Sequence, residues 1–234
     1  MILAAFLRFF SLGGRLGVVC VTLTVVQPCV AAFVVLDGNV PEPGEENILL
    51  GGNTVGSLIM GTTNQSGATV LFQSPSQFLL VPASGQARIE ALVSNDINSG
   101  QLAIDDSITV SLASSNLSFG DLIFNSFIGG GLGAGGSLTV VVNGFDSNNG
   151  PLSQTFTLDD DGDPLSLGNG SNFYTVLASG GDRMTSVEIS PNIGSTYADL
   201  RQIRISQIAP EPGSMVLMLL GFVFVLTRRR SMLM

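Results

Sequence analysis

Apolar and polar residues alternate with a period of two through the middle of this chain, and no other feature constrains its fold as much. In "SITVSL", Ile108, Val110 and Leu112 fall on one side and Ser107, Thr109 and Ser111 on the other. "TSVEIS" sets Val187 and Ile189 against Ser186, Glu188 and Ser190, and "QTFTL" sets Phe156 and Leu158 against Thr155 and Thr157. "RQIRIS" sets Ile203 and Ile205 against Gln202, Arg204 and Ser206. Successive side chains of a strand point to opposite faces, so each run predicts a strand with one buried and one watered face. Turn-formers separate the runs: "DGN", "NQSG", "SNDINSG", "GGGLGAGG", "DSNNGP", "DDDGDP", "SGGD" and "SPNIGS". Without a long amphipathic helical pattern among them, the expectation is an all-β domain over residues 33–208, an antiparallel β-sandwich or jelly roll. "GGGLGAGG", Gly129 to Gly136, reads as a flexible hairpin loop. It lacks the Lys and Ser/Thr that a phosphate-binding loop requires.

Composition narrows the chemistry. The nine basic residues are all arginine and there is no histidine, while the two cysteines, Cys20 and Cys29, both fall near the N-terminus. Imidazole bases, amine nucleophiles and most transition-metal sites are therefore missing, and without residues 1–32 thiol chemistry is missing too. The expectation is a protein that is not an enzyme, with carboxylate-based glycosidase chemistry as the one catalytic class left open. From Phe33 to Ile208 there are twelve Asp, five Glu and four Arg, a net charge of 4 − 17 = −13. So acidic a surface repels phosphate backbones, and nucleic acid is not an expected partner.

The acidic run "LDDDGDP" offers one candidate metal site. Asp159, Asp161 and Asp163 stand at i, i+2 and i+4, with Gly162 permitting a tight bend. Hard oxygen ligands at this spacing suit Ca²⁺, although the position where an EF-hand places its bidentate Glu holds Gly170 or Asn172. A solvated acidic turn is the plainer reading of the same residues. A carbohydrate site built from Asn, Asp and Gly loops is the other binding expectation. With no Trp and only Tyr174 and Tyr197, aromatic platforms for a sugar ring are few.

Both ends are apolar. Residues 1–32 read as a signal peptide, with Arg8 and Arg15 as its positive region, Leu16 to Val26 as its apolar core, and Val30 and Ala32 as small residues before a cleavage site. Residues 209–234 contain Pro210-Glu211-Pro212-Gly213, the apolar run Ser214 to Thr227 and Arg228-Arg229-Arg230. As a helix, that run of fourteen residues reaches about 21 Å, short of the roughly 30 Å hydrocarbon core. The arginines favour the cytoplasmic side and stop translocation.

In this order, the three elements resemble the PEP-CTERM sorting signal of Gram-negative bacteria. The resemblance covers about 25 residues. It implies a short C-terminal hydrophobic helix held transiently in the inner membrane and processing near Pro210-Glu211-Pro212 by an exosortase-type membrane protease. It also implies delivery to the cell envelope, surface or exopolysaccharide matrix. Pro41-Glu42-Pro43-Gly44 repeats the tetrapeptide, but Glu45 and Glu46 follow it in place of an apolar run, so it should not act as a signal. The functional expectation is a secreted or surface-displayed structural or adhesive protein. The alternative is an extracellular module that binds carbohydrate or calcium.

Overall fold

The computed structural model describes residues 33–83, 88–159 and 161–210. The segments expected to form the signal peptide (1–32) and the C-terminal hydrophobic helix, with Glu211 to Gly213 and Arg228 to Arg230, lie outside the described residues. Among those described there is no helix, and no segment is a helix long and apolar enough to cross a membrane.

The first nine strands are β1 (Phe33–Asp37), β2 (Glu46–Leu50), β3 (Thr54–Gly56), β4 (Leu58–Thr63), β5 (Thr69–Gln73), β6 (Phe78–Val81), β7 (Arg88–Leu92), β8 (Gln101–Leu102) and β9 (Ile108–Leu112). The others are β10 (Leu117–Ser118), β11 (Asp121–Ile128), β12 (Gly136–Phe145), β13 (Pro151–Phe156), β14 (Ser166–Leu167), β15 (Gly170–Ala178), β16 (Arg183–Pro191), β17 (Asp199–Ser206) and β18 (Ala209–Pro210). Their pairings are antiparallel.

Two layers result. One runs β1-β15-β11-β17 and continues from β17 through β7 to β6 and β3. The other runs β4-β5-β9-β16-β12-β13. β2 joins them along one side, pairing with β17 through Glu46 and Asn47 and with β4 through Ile48 to Leu50. The inward residues of both layers form one apolar core, including Phe33, Val35, Phe72, Val110, Leu122, Phe124, Val140, Val187, Ile189 and Ile205. Each such side chain contributes roughly 1.5–3 kcal/mol when it leaves water.

The alternating runs mostly land as expected. Ile108, Val110, Leu112, Val187, Ile189, Ile203 and Ile205 are all buried. "QTFTL" departs from expectation: β13 ends at Phe156, which is half-buried, and Leu158 is exposed. β13 stands at the end of its layer with a neighbour on one side, so the core does not extend under Leu158. The glycine-rich loop does not close a hairpin either. It carries the chain from β11 in one layer to β12 in the other, through left-handed turns at Gly130, Gly131, Gly133 and Gly135. At Gly135 a side chain would also collide with the Leu167 carbonyl oxygen.

Candidate functional site

Most of the layer containing β11 has an ordinary inner face, but its outer face is polar, ordered and partly roofed. Two rows of residues cross the strands there, set by the ladder register. The first is Phe173, Asn125, Arg201 and Arg88, on β15, β11, β17 and β7. The second is Ser171, Phe127, Asp199 and Glu90 on the same strands. Residues opposite one another in an antiparallel pair share a face, so each row is a continuous band of side chains.

Arg88 pairs with Glu90 at 2.9 Å, and Arg201 pairs through two nitrogens with Asp199. The Arg201 guanidinium also lies 3.6 Å above the centre of the Phe127 ring. Gln101 of β8 donates to Glu90. Burial pushes the Glu90 carboxyl up and Asp199 adds to this, while Arg88, Gln101 and Arg201 pull it back. The two arginines and two acids balance, so the band carries donors and acceptors with little net charge.

A β-bulge gives the band its density. The β11–β17 register shifts between Ile123 and Asn125, and Gln202 takes φ of 52°, a left-handed conformation uncommon away from glycine. Gln202 is thereby turned to the same side as Arg201, and its Oε1 accepts from Asn125 Nδ2 at 3.0 Å. The other Asn125 amide hydrogen reaches Ser171 Oγ at 3.2 Å. Bulges commonly re-aim side chains beside functional sites.

The band runs into an open cleft of about 640 Å³, whose lining includes Asp37, Asn39, Asp159, Asp163, Ser171 and Phe173. Ser171 and Phe173 belong to both band and cleft. Three carboxylates make the cleft acidic, as the raised Tyr174 phenol registers: burial is the main cause, with the fields of Asp37 and Asp159 adding to it. Asn172 is committed to structure, its side chain bonding Ser126, Gly168 and Gly170.

The structure thus places two of the three acidic-turn residues, Asp159 and Asp163, on the cleft wall. Asp159 Oδ1 accepts the backbone N–H groups of Asp161 and Asp163 at 3.0 and 2.9 Å, and Gly162 turns through φ of 88°. Asp161 and Asp163 are exposed. Among the described residues no three acidic side chains gather as a metal cage. At the tail, Pro210 pairs with Leu117 in the short β10–β18 ladder.

The polar band was missed in the sequence reading, yet a signal exists. "RIE" and "DLR" each put opposite charges at i and i+2, on one face of a strand, and the tertiary fold sets these two strands side by side.

No family profile and no curated protein matches this chain. Among solved structures it is similar to family 29 carbohydrate-binding modules. One variant solved with cellulohexaose has a TM-score of 0.31 and 11% identity, the match covering 71% of this chain and 91% of that one. Another solved with mannohexaose has a TM-score of 0.24 and 11% identity, covering 76% of this chain and 89% of that one. Scores this low assign no ligand and no membership to the present chain.

Proposed function

We propose that this chain is an exported, non-catalytic module that binds a neutral polysaccharide along the outer face of the β11 layer. The observation that carries this reading is the continuity of the band with the cleft. The groups that reach solvent there are the guanidinium edges of Arg88 and Arg201, the Gln202 amide, the Ser171 hydroxyl and the cleft carboxylates beside Phe173, held in place by the buried Asn125, Asp199 and Glu90. A glycan chain presents many hydroxyls that both donate and accept, and such a row of fixed partners suits it. The carboxylates of Asp37, Asp159 and Asp163, none in an ion pair among the described residues, favour hydroxyl donors and disfavour anionic sugars.

The tail supports the location. Its PEP-CTERM-like order of motif, apolar run and arginines argues for export, transient inner-membrane retention, exosortase processing and release to the envelope or matrix. A glycan-binding module would then sit among exopolysaccharide.

A second reading, a purely structural or adhesive role, is favoured by a different observation. The outer face of β4 and of the adjoining β2 exposes Leu58, Met60 and Leu49 at 46%, 61% and 58%. An apolar stripe of this kind suits lateral packing.

The test is binding of the exported protein to immobilised and soluble neutral polysaccharides, with cellulohexaose and mannohexaose as first probes. Titration calorimetry gives the affinity, and release of reducing sugar monitors catalysis. Asn39→Ala and Gln202→Ala change exposed side chains. Each should weaken binding about tenfold, about 1.4 kcal/mol, with the circular dichroism spectrum unchanged. Binding to no glycan, or binding indifferent to both variants, sinks the proposal. Sugar release at a steady rate would replace it with the glycosidase reading.

A further inference from the structure

The polypeptide between β1 and β2, residues 38–45, has to cross a sheet. In the strand order β1-β15-β11-β17-β2 its two ends stand four strand spacings apart, about 19 Å. The chain from Asp37 to Glu46 can span about 30 Å, so this strap is slack and its path is set by what pins it. Pro41-Glu42-Pro43-Gly44 forms its middle. The two prolines carry no N–H, so the strap needs few acceptors as it crosses. Ile123 of β11 and Thr175 of β15 stand opposite each other and are fully buried. Their strand neighbours Leu122, Phe124, Tyr174 and Val176 belong to the core on the inner face. Ile123 and Thr175 therefore point outward, and their burial needs the cover that the strap gives.

Two side chains hold the strap down. The Thr175 hydroxyl donates to the Gly38 carbonyl at 2.9 Å and accepts from Val40 N–H at 3.0 Å. Arg204 of β17 grips both ends: one guanidinium nitrogen donates to Glu45 Oε2 at 2.7 Å, and the other donates to Asn39 Oδ1. The rigid fork of the guanidinium makes this a two-point tie. Asn39 is exposed and lines the cleft beside Asp37 and Gly38. Gly38 N–H donates to the carbonyl of Phe173, which belongs to both band and cleft. Arg204 occupies Asn39 Oδ1, which leaves the amide hydrogens of Asn39 for a ligand.

We infer that Arg204 is a positioning residue for the binding face: it does not line the cleft, but its tie across the strap fixes Asn39 on the cleft rim before a ligand arrives. A slack strap left unpinned has to be ordered during binding, and that ordering costs affinity. The other two ion pairs among the described residues, Arg88–Glu90 and Arg201–Asp199, lie within the band itself. Arg204–Glu45 works at a distance, through Asn39. The inference rests on the glycan reading for its ligand, while the clasp itself can be judged without one.

Hydrogen exchange of the exported protein reads the clasp directly. Arg204→Ala should speed exchange of the Gly38 and Val40 amides about tenfold or more, while the amides of β12 hold. A double-mutant cycle then reads its purpose, with whichever of cellulohexaose or mannohexaose the wild type binds. Arg204→Ala should weaken binding by up to about tenfold, and adding Asn39→Ala should cost little more, because both act on one contact. Combined with Gln202→Ala, whose side chain lies at the bulge, the losses should multiply to about a hundredfold. A general loosening of the fold would multiply with both. Arg204→Lys keeps the charge without the fork, so it should restore only part of the protection and of the affinity. It carries the same cycle if Arg204→Ala does not fold. Losses that multiply with Asn39→Ala overturn the inference, as does unchanged exchange at Gly38 and Val40. If the wild type binds no glycan, the glycan reading falls on that result, and exchange at Gly38 and Val40 alone decides the clasp.

Discussion

At the scale of single residues, the charges that matter most are those that water no longer reaches. The Asp121 carboxyl is pushed up to about 6, chiefly by burial, with the fields of Glu45 and Glu42 adding to it and the neighbouring Ser206 pulling it back in part. A folded state that binds its proton more tightly than the unfolded chain loses stability as pH rises. The contribution of Asp121 is full below the ordinary aspartate value of 3.8 and lost once pH passes about 6. The loss is on the order of 3 kcal/mol. Asp121→Asn titrates nowhere in that window. Its melting temperature should rise relative to wild type between these two values and then run parallel; a constant difference across the range would contradict this. Glu46 acts in the opposite sense. Burial works to raise it, but donors from Ser66 and Gln65 outweigh burial and hold it low, so its stabilisation is lost only on strong acidification. Asp106 behaves likewise: burial is again outweighed, here by donors from Ser76, Ser74 and Ser107. Arg201 is the cation to test by removal. Arg201→Ala leaves Asp199, 5% exposed, without its partner and strips the cover from Phe127. Equilibrium urea unfolding should show a loss of about 3 kcal/mol. Arg201→Lys, which keeps charge but not the two-pronged geometry, should recover only part of it.

At the scale of elements, strand existence was legible and strand geometry was not. Ile108, Val110 and Leu112 announce β9 because burial of one face selects their spacing. The bulges at Asn143/Gly144 and Ile123/Asn125 carry no such mark, since each arises from how two strands distant in sequence meet. Gly144 shows what the first bulge demands. A side chain there would collide with the backbone of Arg183 and Met184, which cannot swing away as a side chain can. Gly144→Ala should therefore cost about 3 kcal/mol, read as a lower urea midpoint. An unchanged midpoint would show that the β12–β16 pairing yields more easily than its geometry indicates. The acidic turn was legible as a turn, because Gly162 and the aspartates need little beyond local hydrogen bonds. Its place on a cleft wall was not, because Asp37 and Phe173 come from β1 and β15.

At the scale of the whole molecule, the dominant quantity is the net charge of −13 between Phe33 and Ile208. Repulsion among so many acids weakens the compact state, and salt screens it. Raising sodium chloride from about 20 mM to about 500 mM should shorten the screening length several-fold and raise the melting temperature. A fall instead would mean that the three ion pairs among the described residues outweigh the general repulsion. The amino-acid sequence by itself determined the class of the fold, the absence of histidine and lysine chemistry and, from residues 33–208, of thiol chemistry, and the acidic surface. These are local or additive properties: alternation acts within one strand, and charge and composition simply sum. Only the tertiary structure decided that Arg88, Glu90, Asp199 and Arg201 form one band, that the band runs into the Asp37–Asp163 cleft, and that Asp121 ends up buried beside Ser206. Those outcomes depend on which strands become neighbours and in what register. That is settled when two layers close over a shared core, because the core forces each distant polar residue onto whatever face remains.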